Sequence, residues 1–158
     1  MKRTLDEELE RPGPERRQRM FWDTYLQGLM DELPHGGTLN SAAILSQQDA
    51  ILWTKSPNFP AVTPEQVHAV IQAFESLSRE GHVGELGTTG MAIGNEKFQL
   101  VRCDDTVLRG ISGNGGCTVK RTLTALVVGI YRQHPCILGP DCNMVVETLG
   151  DRLIAMQC

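Results

Sequence analysis

The stretch LRGISGNGGCTVKRT, Leu108 to Thr122, holds four glycines with a lysine and a threonine behind them. Such residues can cradle a phosphate: backbone N–H groups wrap the oxygens, lysine neutralises them and a hydroxyl holds magnesium. The spacing does not support this. Gly110 and Gly115 are separated as G-x-x-x-x-G-K-[ST] requires, but Gly116 stands where the lysine belongs and Lys120 comes four residues late. The dinucleotide pattern G-x-G-x-x-G fails too, because Gly113 and Gly115 lead to Thr118. The β-branched run that follows, CTVKRTLTALVVGIY, reads as strand where that motif opens a helix. The glycines are read as a connection between two strands. His134 and Cys136, in HPC, bring an imidazole near a thiol. Nucleophilic catalysis needs such a pair in hydrogen-bonding geometry with an orienting group, and Pro135 between them makes the adjacency one of chance. No catalytic residue, metal or cofactor is expected, and the chain is not read as an enzyme.

The elements that must position any site follow from composition and periodicity. At 158 residues the chain fits one domain with a core of its own. Its formal charge of −4 argues against a nucleic-acid-binding surface. The five cysteines (Cys103, Cys117, Cys136, Cys142 and Cys158) form no C-x-x-C pair and are odd in number, which predicts reduced thiols rather than a zinc site or a disulfide framework. The longest apolar run, ALVVGIY, is too short to span a bilayer, and the N-terminus lacks the apolar core of a signal peptide. A cytoplasmic protein is expected.

Residues 1–19 are dense in charge, with six Lys/Arg and five Asp/Glu, and offer almost nothing to bury. They are read as a disordered or frayed extension, with the folded domain at 20–158. Trp22, Tyr25, Leu26 and Leu29 have helical spacing. AAILSQQDAILWT suggests two short strands around a polar turn. TPEQVHAVIQAFESL has a helix start, with Thr63 as cap, Pro64 in the first turn and Gln66 completing a capping box. GHVGELGTTG reads as loop, and Met91 to about Arg132 as strands joined by turns. DCNMVVETLGDRLIAM reads as a closing helix, capped by Asp141 or Asn143. Helices at both ends of an antiparallel run of strands give an α+β fold.

The segments MFWDTYLQGL, AAIL…ILWTKSPNFP, GNEKF, LRGISGNGG, KRT…ALVVGIY and CNMVVETLGDRLI occur in that order with near-normal gaps. Together they resemble the profilin family, most closely its plant-like forms, over Met20 to Cys158. The resemblance implies a central antiparallel β-sheet of six or seven strands, with the N- and C-terminal helices paired on one face and further helices on the other. It also implies a monomer with no chemistry of its own, which binds monomeric actin, regulates actin polymerisation and holds proline-rich actin assembly factors such as formins. Phosphoinositide head groups are a further implied ligand, with Lys120, Arg121, Arg102 and Arg109 as the basic candidates. The cytoskeleton is the implied location.

Residue by residue, the resemblance assigns the polyproline groove to Trp22, Tyr25, Trp53, Arg152 and Leu153, with the three aromatics exposed. A stiff polyproline helix suits a flat aromatic groove. The actin face is assigned to Lys97, Arg102, Arg109, Asn143 and Glu147. Two residues depart from the pattern. Arg152 stands in LGDRLI where plant-like forms read L-G-D-Y-L-I, and Ile111 follows Arg109-Gly110 where a lysine is usual. The alternative reading is an interaction module of this fold that has lost either the polyproline or the actin arm. MFW at Met20 matches the family's usual start, and the residues before it are read as a passive tail.

Overall fold

The computed structural model describes residues 14–133 and 137–158. Seven strands form one antiparallel sheet: β1 (Ser41–Ser46), β2 (Leu52–Lys55), β3 (Met91–Ile93), β4 (Glu96–Cys103), β5 (Val107–Ser112), β6 (Gly115–Arg121) and β7 (Ala125–Arg132). Their spatial order is β2-β1-β7-β6-β5-β4-β3. The strands β3 to β7 run as successive hairpins, and β1 then pairs along the full edge of β7, from Ser41 opposite Ile130 to Ser46 opposite Ala125. Among the described residues four helices surround the sheet: α1 (Pro14–Leu29), α2 (Pro64–Glu80), the single turn α3 (Leu86–Thr89) and α4 (Gly139–Ala155).

Two apolar clusters lie on opposite faces of the sheet, and the alternation of side chains along each strand decides which residue joins which. Ala43, Leu45, Leu126, Val128 and Ile130 meet Val67, Val70 and Phe74 of α2. Their neighbours Ala42, Ile44, Ala125 and Val127 meet Trp22 and Leu29 of α1 and Val146, Leu149 and Leu153 of α4. The strands β1 and β7 are therefore covered on both sides, which is why SAAILS and ALVVGI are apolar without alternation. The outer strands differ. Phe98 of β4 and Leu108 of β5 point to the α2 cluster, while the opposite side of these strands is left uncovered beside α4.

The expected helix starts fare unequally. The capping box of α2 is present: Gln66 N–H donates to Thr63 Oγ1 and Thr63 N–H to Gln66 Oε1, both at 3.2 Å. At α4 no side chain caps the helix, which begins at Gly139 with Leu138 as its boundary residue. Asp141 and Asn143, the expected caps, are engaged elsewhere. The Asp141 carboxylate accepts the His35 backbone N–H at 3.2 Å and holds His35 Nδ1 at 2.9 Å, while Asn143 Oδ1 accepts the Thr118 hydroxyl at 2.6 Å. Pro140 in the first turn removes one of the donors that a cap would satisfy. The segment read as loop around Gly87 contains α3, one turn closed by Gly90. The helix α1 starts at Pro14, before the Met20 boundary.

The glycine-rich stretch is a hairpin. Ser112 pairs with Gly115, so only Gly113 and Asn114 form the turn, and Gly115 and Gly116 already belong to β6. A Cβ on Gly116 would stand 2.6 Å from the Tyr131 hydroxyl. These glycines turn the chain and let two strands and Tyr131 come close; no helix follows them to hold a phosphate.

Candidate functional site

Two surfaces bring together residues of the kind the sequence singles out. The first lies where α1, β2 and the end of α4 meet. The Trp22 and Trp53 rings stack at 4.7 Å with an interplanar angle of 15°. Phe21 packs edge-on against Trp22 at 5.0 Å and against Tyr25 at 5.1 Å, and the Tyr25 hydroxyl points at Met156 Sδ, 3.6 Å away. Helical spacing produces this arrangement, since Phe21 and Tyr25 are one turn apart while Trp22 faces inward with Leu29.

The aromatic trio is not uniformly exposed, which corrects the expectation. Trp22 is only 4% exposed, whereas Tyr25 and Trp53 are half-buried. Its indole Nε1 is buried and has no hydrogen-bond acceptor among the described residues, which costs roughly 1–3 kcal/mol. Leu153 is fully buried in the core beneath α4, so it supports the surface without presenting to it. Arg152 is exposed one turn before Met156. Sequence reasoning missed Phe21 and Met156, both exposed apolar side chains at this surface. Phe21 stood next to Trp22 in the same motif, but Met156 was visible only as a residue near the chain end.

The second surface is the uncovered side of β4 and β5 with the adjoining edge of α4, which itself covers β6. Arg102 lies directly opposite Arg109 across the β4–β5 pair. Two like charges in that register repel, and each has a carboxylate of its own. Arg109 forms a bidentate pair with Glu147 of α4, Nε to Oε2 at 2.9 Å and a second nitrogen to Oε1 at 2.8 Å. This hydrogen bonding holds the Arg109 guanidinium above its ordinary pKa. Arg102 approaches Asp104 at 3.6 Å. Lys97 is exposed on β4, with Gln99 and Ile111 beyond it on the same face. Asn143 is tied to Thr118 of β6. All five expected residues, Lys97, Arg102, Arg109, Asn143 and Glu147, thus lie on this face or at its α4 edge.

The basic residues considered for a phosphate head group do not form one patch. The Lys120 side chain is buried beneath Gly150 of α4 and pairs with Asp151 at 3.1 Å. Arg121 points to the other face, over the Phe74 ring at 5.2 Å with a hydrogen bond to Ser78. Neighbouring strand residues face opposite sides, so KR at 120–121 cannot act together. His134 and Cys136 lie outside the described residues. Among the described residues no group of three or more His, Cys, Asp or Glu could hold a metal ion. No described helix is long and apolar enough to cross a membrane.

Comparison with known proteins agrees with this architecture. The family model described as Profilin matches residues 20–158. The solved structure of Acanthamoeba castellanii profilin IA is 28% identical, covers 87% of this chain and 99% of its own, and superposes with a TM-score of 0.72. Profilin II of the same organism is 27% identical over 85% and 98% of the two chains, with a TM-score of 0.70. Mouse profilin IIa, solved in complex with a double repeat from the FH1 domain of mDia1, shares the fold at 23% identity over 87% and 99%, with a TM-score of 0.64. A family model matched from Met20 to the last residue, on a sheet of this order with its terminal helices on one face, shows that the chain belongs to the profilin family.

Proposed function

We propose that the protein binds monomeric actin through the uncovered face of β4 and β5 with the adjoining edge of α4, regulates actin polymerisation, and holds proline-rich segments on the aromatic surface between α1 and α4. The observation that carries this reading is the division of α4 between two surfaces. Asn143 and Glu147 in its first half edge the strand face, and Arg152 and Met156 at its end edge the aromatic one. Family membership supplies the two ligand classes, and formins are the kind of proline-rich partner proposed. The protein acts as a monomer on the cytoskeleton in this reading, with no catalysis of its own. The relation to plant-like forms rests on motifs such as MFWDTYLQGL and CNMVVETLGDRLI. Phosphoinositide binding is not part of this reading, because Lys120 pairs with Asp151 on one face and Arg121 bonds Ser78 on the other.

The test is a sedimentation and pyrene-fluorescence assay with purified actin. The full chain is expected to lower filament mass in proportion to its concentration, and Lys97→Glu together with Arg102→Glu to weaken that effect without changing thermal unfolding. An unchanged filament mass with folded protein at concentrations well above that of actin sinks the proposal.

A second reading, loss of the polyproline arm, is favoured by one observation: Trp22 is buried and Arg152 takes the place of an aromatic. Titration with a proline decamer separates the two readings.

A further inference from the structure

The strand face carries little free charge. Arg102, Arg109 and Lys120 lie on it or beside it, and each holds a carboxylate of this chain: Asp104 at 3.6 Å, Glu147 at 2.8 Å and Asp151 at 3.1 Å. Among the described residues Lys97 is the one cation of the face with no such partner. The same elements expose apolar side chains. Val101, at the irregularity between Leu100 and Arg102, is 58% exposed, Ile111 is 48% exposed, and Met144, one turn before Glu147 on α4, is 49% exposed. Ile111 has Gln99 opposite it on β4 and Gly116 opposite it on β6. Gly116 has no side chain, and a Cβ there would collide with Tyr131, so nothing on β6 can shield Ile111.

An ion pair closed within one chain has little net charge to offer a partner, and what remains outside is screened by salt. An apolar side chain gains by leaving water regardless of screening. Interfaces concentrate their energy in such a desolvated centre surrounded by a polar rim. We propose that Ile111 is the affinity-setting residue of this face, and that it meets an apolar rather than an acidic part of the actin surface. This rests on the reading of the face as the actin site. Lys97 and the ion pairs then form the rim, where they orient the partner.

The experiment measures the affinity of the full chain for actin kept monomeric by a sequestering toxin, at about 20 and about 150 mM salt, for wild type, Ile111→Ala and Ile111→Lys. Thermal unfolding serves as the check on folding, which an exposed position should leave unchanged. The wild-type Kd is expected to change less than about threefold between the two salts. Ile111→Ala should weaken binding by roughly fivefold to tenfold at both, and Ile111→Lys should weaken it at both. A wild-type Kd that rises more than about tenfold with salt, an Ile111→Ala variant with unchanged affinity, or an Ile111→Lys variant that binds more tightly at low salt each overturns this inference while leaving the actin reading intact. No wild-type binding at either salt overturns both.

Discussion

Trp22 combines two properties that bear directly on ligand binding. It is packed between Phe21 and Trp53, and its indole N–H is buried without an acceptor. A proline carbonyl, which lacks the competing amide donor of other residues, is a suitable acceptor once the edge of the ring is uncovered. Titration with a proline decamer is therefore expected to change the intrinsic tryptophan fluorescence in a saturable way, and Trp22→Ala to abolish the change. No change up to millimolar peptide would support the one-armed reading. Arg152→Tyr is expected to tighten binding by about 1–2 kcal/mol, roughly tenfold, by restoring an aromatic anchor beside Met156; isothermal titration of the two proteins checks this.

Among titrating residues, Glu96 is held below its ordinary value of 4.5 chiefly by its hydrogen bonds from Arg132; burial opposes this, and Ser112 adds to it. A carboxylate with a depressed folded pKa contributes stability that is complete above its unfolded value and is lost as pH falls through the folded one. Urea unfolding at several pH values should then show Glu96→Gln less stable than wild type near neutrality, with the difference shrinking below about pH 4.5. The thiols of Cys117 and Cys142 behave oppositely. Burial pushes both up, Cys142 to about 12. Neither should react with a disulfide reagent at neutral pH until the protein is unfolded, which a thiol count in native and denaturing buffer measures.

At the level of elements, the seating of α4 on the sheet depends on small residues. The side chains of Val146 and Cys142 press toward Gly129 of β7, where a Cβ would meet Val146 at 2.6 Å. Gly150 of α4 lies on the Lys120 side chain, which Asp151 and Thr106 hold in place. Replacing a mid-helix glycine by alanine ordinarily adds about 1 kcal/mol of stability. Here Gly150→Ala is expected to cost about 1–3 kcal/mol instead, because the added carbon overpacks a fixed contact; the midpoint of urea denaturation reports the sign.

Much of this level was legible in the sequence. The helix of Thr63 and Gln66 declares its own start, and the strands from Met91 to Arg132 follow from β-branched runs between turns. The caps expected at Asp141 and Asn143 were not, because their partners, His35 and Thr118, come from other parts of the chain. The aromatic site was legible as a set of residue types. Its depth was not, since burial of Trp22 depends on Trp53, which arrives from β2. Ile111 was marked by standing where a lysine is usual, but the exposure of Val101 was hidden for a related reason: alternation along a strand says that two faces exist, not that one of them lies beyond the reach of a helix.

For the molecule as a whole, α4 connects the two surfaces as a rigid spacer. From Glu147 to Met156 it rises about 13 Å, enough for a peptide at one end and a partner at the other not to touch the same residues. The core side of the helix, with Val146, Leu149 and Leu153 buried, leaves it little freedom to tilt. A proline decamer is therefore expected to leave the affinity for monomeric actin unchanged within about twofold, which a competition titration checks.

The pairing of β1 with β7 joins residues near position 43 to residues near position 128. During synthesis β1 can pair at once with β2, but its other edge, along Ala42, Ala43, Ile44 and Leu45, stays open until the ribosome has released β7. The hairpins from β3 to β7 need no such delay, because each strand finds its partner within a few residues. Closing a loop of that length is the slow, high-contact-order step. The nascent chain is thus most exposed to aggregation through SAAILS, the segment that the finished protein buries most completely.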